Sequence, residues 1–362
     1  MQFNKIKLKD IADINMGQSP SGSSYNNNGR GIPFLQGNKT FGFLYPTIDT
    51  WTTEPKKIGK KNSVLMSVRA PVGDLNIANK DICIGRGLCS IEMKNGNNQY
   101  LYYLLKNSIK KIKMKSTGTV FESINRKELE NIEILDFDKS QQKKISKVLF
   151  DIDKKIELNI QTNDNLLKIG LELLKEDFNK KTEYEVLSNA IKFVKGKRPL
   201  DITPEIKEKY KKYLTIACLN GQELNYADPT KMVLSNNDLL MVMDGASSGD
   251  VYYTGQGIVG STLSRIDCID SNYISEFIYF IMKYYKDLIQ SKNTGSAIPH
   301  TDKVFVGNLK VPKLLIEEQE KYKTLLYKIL KNMNENKILE QLRDTLLPKL
   351  MNGEIDLDKI EI

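Results

Sequence analysis

The segment Leu8-Lys-Asp-Ile-Ala-Asp-Ile-Asn-Met-Gly-Gln-Ser-Pro20 returns in outline as Leu187-Ser-Asn-Ala-Ile-Lys-Phe-Val-Lys-Gly-Lys-Arg-Pro199. The leucine, the glycine and the proline of the two segments match at a constant offset of 179 residues. The same residue types at the same spacing indicate that each segment begins one copy of a module. We therefore interpret the chain as a tandem duplication.

Further matches extend the duplication along both halves at offsets of 175 to 177 residues. They are Val72-Gly-Asp-Leu75 with Ser248-Gly-Asp-Val251, Gly85-Arg-Gly-Leu88 with Gly260-Ser-Thr-Leu263, Ser116-Thr-Gly-Thr119 with Asn293-Thr-Gly-Ser296, and Gln142 with Gln319. Short insertions in loops explain the small drift of the offset. Solenoid repeats have periods of about 20 to 50 residues, so this period indicates two domains instead.

Composition fits two globular domains. The chain has 362 residues, of which 40% are apolar and 27% charged, as in ordinary globular proteins. No run reaches the length of about 18 apolar residues typical of a membrane helix, and the first residues lack a signal-peptide pattern, so we expect a cytoplasmic protein without membrane contact. Cysteines 83, 89, 218 and 268 lack zinc-ligand spacing, and we expect them to be reduced and mostly buried.

The net charge of +9 and the isoelectric point near 9.0 favour an anionic partner, with nucleic acid first. The alternative is a lysine-rich surface that is merely solvated.

The pattern of short strands, helices and polar loops predicts an α+β fold, with modules at 1–139 and 181–313. Predicted strands are Ser63–Val68, Ile132–Leu135, Leu239–Met243 and Leu309–Pro312, and predicted helices are Gln99–Lys106 and Tyr273–Gln290.

A long amphipathic helix is predicted after each module, within 140–180 and 314–362, because apolar residues recur mostly every three or four positions. The first, over Gln141–Phe178, would be roughly 55 Å long at about 1.5 Å per residue. Asn159 and Asn336 occupy matching positions near the middle of the two apolar seams. If the helices pair, these asparagines would fix the register of a coiled-coil spacer. Alternatively, each helix packs on its own module and the asparagines face outward.

Catalytic motifs are weak or missing. The glycines at 17 and 22 have the spacing of a phosphate-binding loop without its lysine, and no GxGxxG segment follows a strand. Asp201, Glu205 and Lys207 resemble a metal-dependent nuclease motif, but their spacing is too short and the surrounding sequence predicts a helix N-terminus.

The single histidine, His300, has no catalytic partner nearby in sequence. It is interpreted either as a contact to a phosphate or base edge or as a solvated bystander.

Residues suited to DNA contacts recur in both halves. Lys115 and Lys292 precede Thr-Gly turns whose small hydroxyl residues suit a phosphate clamp, although ordinary loops would have the same composition. Arg69 suits guanine, and amide side chains suit adenine, whereas the second half has Asp244 at the corresponding loop. The predicted contacts are Gln36, Asn38, Lys39, Ser67, Arg69, Lys115, Ser116, Thr117 and Gly118 in the first half, and Lys195, Lys197, Arg198, Asn220, Gln222, Asp244, Ser247, Ser248, Lys292, Asn293, Thr294, Ser296 and His300 in the second.

A series of motifs in this chain resembles the specificity (S) subunit of type I restriction-modification systems. The series consists of the repeated Leu-Gly-Pro segment, Val64-Leu-Met-Ser-Val-Arg-Ala-Pro-Val-Gly-Asp74, Ile84-Gly-Arg-Gly-Leu88, the Thr-Gly turns, and Glu317-Glu-Gln319 before a long helix. The resemblance covers essentially the whole chain. The first half departs slightly, with Gln141-Gln142 where the second has Glu318-Gln319.

The resemblance implies two target-recognition domains, at 1–139 and 181–313, each reading one half of a bipartite DNA sequence. Spacer helices at 140–180 and 314–362 would set the gap. The expected partners are double-stranded DNA, two methyltransferase subunits and motor-nuclease restriction subunits. No catalytic site or cofactor is expected on this chain, since S-adenosylmethionine, ATP and Mg²⁺ would bind the partner subunits. The alternatives are the recognition half of a fused restriction-methylation enzyme and a decoy that binds methyltransferase subunits.

Overall fold

The computed structural model describes residues 5–115, 123–253, 255–295 and 297–355. The chain forms two compact units. Unit 1 consists of Met1–Ile160 and Asn334–Ile362, and unit 2 of Gln161–Met333. Each unit therefore contains one module together with a segment of each long helix.

Unit 1 begins with short strands and ends in a long helix. Its strands are β1 (Lys5–Lys7), β2 (Ala12–Met16), β3 (Tyr25–Asn26), β4 (Ile32–Leu35), β5 (Trp51–Thr52), β6 (Ile58–Gly59), β7 (Val64–Ser67), β8 (Leu75–Ile77), β9 (Ile82–Ile84), β10 (Leu88–Met93) and β11 (Glu133–Leu135). Its helices are α1 (Leu8–Ile11), α2 (Asn98–Lys115), α3 (Arg126–Glu130) and α4 (Lys139–Lys180), the last of which continues into unit 2.

Unit 2 repeats this order. Its strands are β12 (Tyr184–Val186), β13 (Ile191–Lys195), β14 (Lys211–Leu214), β15 (Tyr226–Ala227), β16 (Leu234–Asn236), β17 (Leu239–Val242), β18 (Val251–Tyr253), β19 (Gln256–Val259), β20 (Leu263–Cys268) and β21 (Lys310–Pro312). Its helices are α5 (Leu187–Ala190), α6 (Ile216–Leu219), α7 (Ser275–Tyr284), α8 (Lys286–Ser291), α9 (Lys303–Gly307) and α10 (Ile316–Met351), the last of which continues into unit 1.

The sheets of the two units correspond. Unit 1 has an antiparallel sheet in the order β2-β10-β7-β8, and unit 2 has β13-β20-β17-β18. A second sheet contains one parallel pair in each unit, β4 with β9 and β14 with β19. A two-stranded ribbon, β1 with β11 or β12 with β21, lies before the long helix. The predicted α+β duplication is confirmed.

The structure explains the three residues shared by the repeated opening segments. Leu8 and Leu187 are fully buried, and their backbone amides donate to the carbonyls of Ile132 and Leu309. The two prolines are buried as well. Each shared leucine thus ties the beginning of its module to the segment just before the long helix.

The shared glycine occupies the place where two sheets meet. Gly17 donates its amide to Leu88 O at the start of β10, and Gln18 donates to Ile84 O at the end of β9. A Cβ on Gly17 would lie 2.1 Å from Gly85 O, too close for any other residue. Gly196 is equally confined, 2.1 Å from Gly260 O. Glycine is required because backbone approaches backbone at this point.

The short predicted elements lie within a few residues of the observed ones, with two exceptions. Helix α2 is much longer than the predicted Gln99–Lys106. The predicted helix over Tyr273–Gln290 is wrong in detail, because it divides into α7 and α8 at Tyr285, where φ is −89° and ψ is 6°. That conformation ends the α7 hydrogen-bond ladder although the apolar spacing continues.

Both long helices contribute to the core of each unit. In unit 1, Ile145 and Leu149 of α4 and Leu347 and Leu350 of α10 pack with the sheet and α2. In unit 2, the buried residues include Leu174 of α4 and Tyr322, Leu326 and Ile329 of α10. The helices therefore complete both hydrophobic cores.

The two long helices run antiparallel within each unit. In unit 1, Asp153 contacts Arg343 and Asn159 contacts Asn336. In unit 2, Asn163 contacts Asn332 and Asp177 contacts Tyr322. Asn159 Nδ2 donates to Asn336 Oδ1 and to Glu335 Oε2, both at 2.8 Å. The asparagines thus face each other and are buried. Their role in fixing the helix register stays a prediction.

Gln142 and Gln319 anchor the beginning of each long helix. Gln319 Nε2 donates to the carbonyls of Asn272 and Leu314, and its Oε1 accepts from the amide of Ile274 at the start of α7. Gln142 donates to Phe137 O and accepts from Asn95 Nδ2. Both glutamines are buried. They join the long helix to the loop before α2 or α7.

Replacing Gln319 with alanine should lower the free energy of unfolding of unit 2 by about 1–3 kcal/mol, because buried backbone groups lose their partners. Urea unfolding would measure this loss. Gln222→Ala, at an exposed position in the same unit, is the matched control and should change stability by less than about 0.5 kcal/mol. Equal effects of the two substitutions would show that Gln319 is not an anchor.

None of the helices in the described ranges has the length and apolar character needed to cross a membrane.

Candidate nucleic-acid interface

Four loops of unit 1 meet at one edge of its sheets, after β2, β4, β7 and β9. Gly85 donates its amide to Leu35 O, and Val68 donates to Gly87 O. Ser19 Oγ donates to Gln36 Oε1 at 2.9 Å. We call residues 17–20, 36–39, 67–74 and 85–87 loop cluster 1.

Unit 2 builds the equivalent surface from the loops after β13, β14, β17 and β19. Lys197 donates its amide to Val259 O, Gly260 to Leu214 O, and Met243 to Thr262 O. We call residues 196–199, 215–222, 243–249 and 260–262 loop cluster 2. The backbone connections between the loops are therefore retained in the two units.

Loop cluster 1 presents most of the predicted side chains to solvent. Gln36, Lys39 and Arg69 are exposed, and Asn38 is half-buried. The amide nitrogen of Asn38 donates to the Asp74 carboxylate, which leaves its carbonyl oxygen for a ligand. Polar groups that can donate or accept hydrogen bonds are thus gathered on one surface.

Loop cluster 2 has a different set of exposed groups. Lys197, Arg198, Asn220 and Gln222 are exposed, as is Lys195 at the adjoining end of β13, whereas Ser247 is half-buried. The Asn220 carbonyl accepts from the Tyr252 hydroxyl at 3.2 Å, so its amide nitrogen remains for a ligand. The two clusters share their backbone connections and differ in their side chains.

Two predicted contacts, Ser67 and Ser248, are buried. Ser67 Oγ donates to Pro71 O and accepts from the Asp74 amide. Ser248 Oγ lies 2.7 Å from Gly245 O and 2.8 Å from Pro299 O. Both hydroxyls are hydrogen-bonded within their own unit and hold its loops in shape.

Only the second Thr-Gly turn is described. Lys292 and Thr294 are exposed there, whereas Asn293 Nδ2 donates to Ser248 O, so that amide holds the turn against loop cluster 2. Several predicted contacts lie outside the described residues. They are Ser116, Thr117, Gly118 and Ser296, together with the side chain of Lys115. The second Thr-Gly turn therefore lies beside loop cluster 2.

His300 is not isolated. Its Nδ1 lies 2.7 Å from Asp244 Oδ1, and its backbone pairs with Thr294 through two hydrogen bonds. Sequence reasoning named both side chains but missed their contact, since 56 residues separate them.

Arg86 was also missed. It is exposed between two glycines of loop cluster 1, and its amide donates to Ser19 Oγ. The second unit has Ser261 in the matching segment. An arginine between glycines in a loop next to a strand was the available signal.

The nuclease-like fragment does not form a helix N-terminus. Thr203 pairs with Tyr226 through two backbone hydrogen bonds, and the segment after it consists of bends and a turn. The Asp201 carboxylate accepts from the Tyr210 hydroxyl. Among the described residues, no group of histidine, cysteine and acidic side chains is arranged to hold a metal ion.

Known proteins are similar to this chain in sequence and in fold. The type I restriction modification DNA specificity domain matches residues 2–168. The chain is 43% identical over 157 residues to the putative type I restriction enzyme MjaX specificity subunit of Methanocaldococcus jannaschii, covering 43% of the chain and 37% of that relative. It is 26% identical to the MjaIX specificity subunit of the same organism, over 98% of the chain and 94% of the relative. The crystal structure of the S subunit from the M. genitalium type I restriction-modification system has a TM-score of 0.64 and 18% identity, covering 97% of the chain and 96% of that structure.

The fold defines a class of duplicated α+β proteins in which segments of two long helices complete each half. The M. genitalium structure supports this fold over nearly the entire chain, and the sequence matches are all to type I specificity domains or subunits. The chain is therefore similar to type I restriction-modification specificity subunits over nearly its whole length, and its residues 2–168 match the type I specificity domain.

Proposed function

We propose that the chain is a non-catalytic reader of DNA sequence. Loop cluster 1 binds one half of a bipartite target and loop cluster 2 binds the other. The observation that carries this proposal is the combination of retained loop connections with different side chains. These are the exposed Arg69 and Gln36 in one unit, and the half-buried Asp244 and exposed Gln222 in the other. Equivalent scaffolds with different polar groups suit two half-sites of different sequence.

The charge of the chain supplies affinity. A net charge of +9 favours binding to phosphates, since each cation that neutralises a phosphate releases counterions. Lys39, Lys197 and Lys292 are exposed on or beside the loop clusters. Two half-site contacts joined in one chain also reinforce each other through effective concentration. Weak contacts at each half-site can therefore yield specific binding.

The long helices serve as the spacer and as the docking region in this proposal. Both contribute to both units, and Asn159 with Asn336 would fix their register. Two methyltransferase subunits would dock on the helices, and restriction subunits would join them. S-adenosylmethionine, ATP and Mg²⁺ would belong to those partners.

Arg69→Ala tests the assignment of loop cluster 1. We expect DNA affinity to fall by about 1–3 kcal/mol and discrimination to relax at one base pair of one half-site, because a bidentate arginine contact to guanine is worth that much. Fluorescence anisotropy with the chain bound to its methyltransferase subunits would measure both quantities, using duplexes changed one base pair at a time.

The control is Lys60→Ala, which also removes one positive charge. The Nζ of Lys60 lies 3.5 Å from Oε2 of Glu92. Glu92 is near the end of β10 that is opposite to loop cluster 1. This substitution should leave base discrimination unchanged. If Arg69→Ala behaves like Lys60→Ala, Arg69 does not read a base.

A further inference from the structure

One pair of positions is equivalent in the two units and differs in chemistry. An isolated antiparallel β-bridge joins Arg69 to Ser123 in unit 1, and another joins Asp244 to His300 in unit 2. Each bridge connects the loop after the central strand, β7 or β17, with the segment before the helix α3 or α9. The backbone that holds the two pairs is therefore shared, while the side chains are unrelated.

The hydrogen bonds around the bridge bring its side chains together. In unit 2, Gly245 donates to Pro299 O and Thr301 donates to Met243 O, one bond on each side of the Asp244–His300 pair. Opposite residues between such bonds have closer side chains than hydrogen-bonded pairs do. In unit 1, Ile124 donates to Val68 O at the corresponding position. Ser123 thus lies across from Arg69 in the same way.

The imidazole of His300 is held from two directions. Asp244 Oδ1 accepts from Nδ1 at 2.7 Å. A Cβ on Gly295 would lie 2.9 Å from His300 Cδ2, so the glycine of the Thr-Gly turn makes room for the ring. Half of the His300 side chain is nevertheless exposed. The ring is fixed in orientation and open to a ligand.

The two pairs differ in hydrogen-bonding sense. The guanidinium of Arg69 only donates, which suits the N7 and O6 acceptors of guanine. A neutral imidazole that donates through Nδ1 accepts at Nε2. An acceptor in the major groove suits the amino group of cytosine or adenine, which guanine and thymine do not present there.

We infer that this bridge pair is the corresponding base-reading element of each unit, with His300 as an acceptor for a base amino group and Asp244 as the residue that positions it. The inference rests on the proposed function. It predicts cytosine or adenine opposite His300 in the second half-site, and guanine opposite Arg69 in the first.

The test measures base preference at each position of the second half-site, with the chain bound to its methyltransferase subunits. His300→Ala should lower discrimination at one base pair by about 5- to 150-fold, the range for one good base contact. Asp244→Asn should keep most of this discrimination, because the Oδ1 of the asparagine can still accept from His300 Nδ1. Asp244→Ala should lose the discrimination. The double exchange Asp244→Arg with His300→Ser should shift the preference at that base pair toward guanine.

Preference at the first half-site should be unchanged in all these variants. A uniform loss of affinity for every sequence, or an unchanged preference at every base pair, would overturn the inference. A loss in Asp244→Asn as large as in His300→Ala would overturn the positioning role. Failure of the proposed function would look different, because then the unmodified complex itself would show no preference at either half-site.

Discussion

Asp153→Ala is expected to lower the free energy of unfolding of unit 1 by about 3–5 kcal/mol, the usual cost of removing one partner from a buried ion pair. Asp153 is fully buried in α4. It accepts from Arg343 Nη1 of α10 at 2.7 Å and from the Tyr103 hydroxyl of α2 at 2.8 Å. One carboxylate therefore joins both long helices to the module.

The loss arises because the buried partners lose this carboxylate, and Arg343 is left with the carboxylate of Asp344, 2.8 Å from Nη2, whose side chain is 62% exposed. Only 9% of the Arg343 side chain is exposed, and Lys106 Nζ lies 4.0 Å from the same carboxylate. Burial, and then the Asp153 charge, raise the pKa of the Tyr103 hydroxyl far above its ordinary value, so Tyr103 remains a neutral donor. Without Asp153, two cations and this donor lose their shared acceptor.

Urea unfolding followed by circular dichroism, with hydrogen exchange of α2 amides to locate the effect, provides the measurement. Asp151→Ala is the matched control, since Asp151 is on the same helix with 64% of its side chain exposed, and it should cost less than about 0.5 kcal/mol. A triple variant with Asp153→Leu, Arg343→Met and Tyr103→Phe should recover much of the stability, because the buried arginine and the buried hydroxyl are then removed together with their acceptor, while the Lys106 side chain is 27% exposed and keeps access to solvent. If Asp153→Ala is as stable as Asp151→Ala, the carboxylate does not hold the helices to the module.

Gly17→Ala and Gly196→Ala should each disable recognition of one half-site. The new Cβ would lie 2.1 Å from a backbone oxygen, Gly85 O or Gly260 O, so the loops must separate, at about 1–3 kcal/mol of stability. The amides of Gly85 and Gly87 donate hydrogen bonds to Leu35 O and Gln36 O. In Gly17→Ala, a displacement of this loop therefore also moves the predicted contact Gln36. We expect discrimination at the half-site of the altered unit to fall about tenfold or more, equivalent to about 1.4 kcal/mol.

Competition binding with duplexes altered in one half-site at a time would measure this effect. Gly22→Ala is the control, because a Cβ there would meet nothing within 4 Å, and it should bind like the unmodified chain. The account requires the two glycine variants to affect different half-sites. Loss of the same half-site in both variants would contradict the assignment of one half-site to each unit.

The duplicated scaffold was predictable because the residues that form it each have a single physical role. A leucine that must be buried, a glycine that meets a carbonyl and a glutamine that anchors a helix leave few alternatives, so they recur at nearly constant offsets. The division between α7 and α8 was not predictable, because the apolar periodicity runs through Tyr285 while the backbone leaves the helix.

The candidate site was harder to predict, because polar residues serve either a loop or a ligand. Ser67 and Ser248 have the composition of contacts, yet their hydroxyls satisfy backbone groups of their own loops. The pairing of Asp244 with His300 depends on a bridge between distant segments, which no local pattern contains. Arg86 lies between two glycines that belong to the repeated scaffold, so the repeat pattern does not single it out as a contact.

Sequencing that detects methylated bases, applied to DNA from cells that express the chain with the proposed methyltransferase partner, tests whether the two units read two half-sites. We expect methylation at two short specific sequences separated by a gap of fixed length and no base preference. Methylation at one continuous short sequence would contradict it.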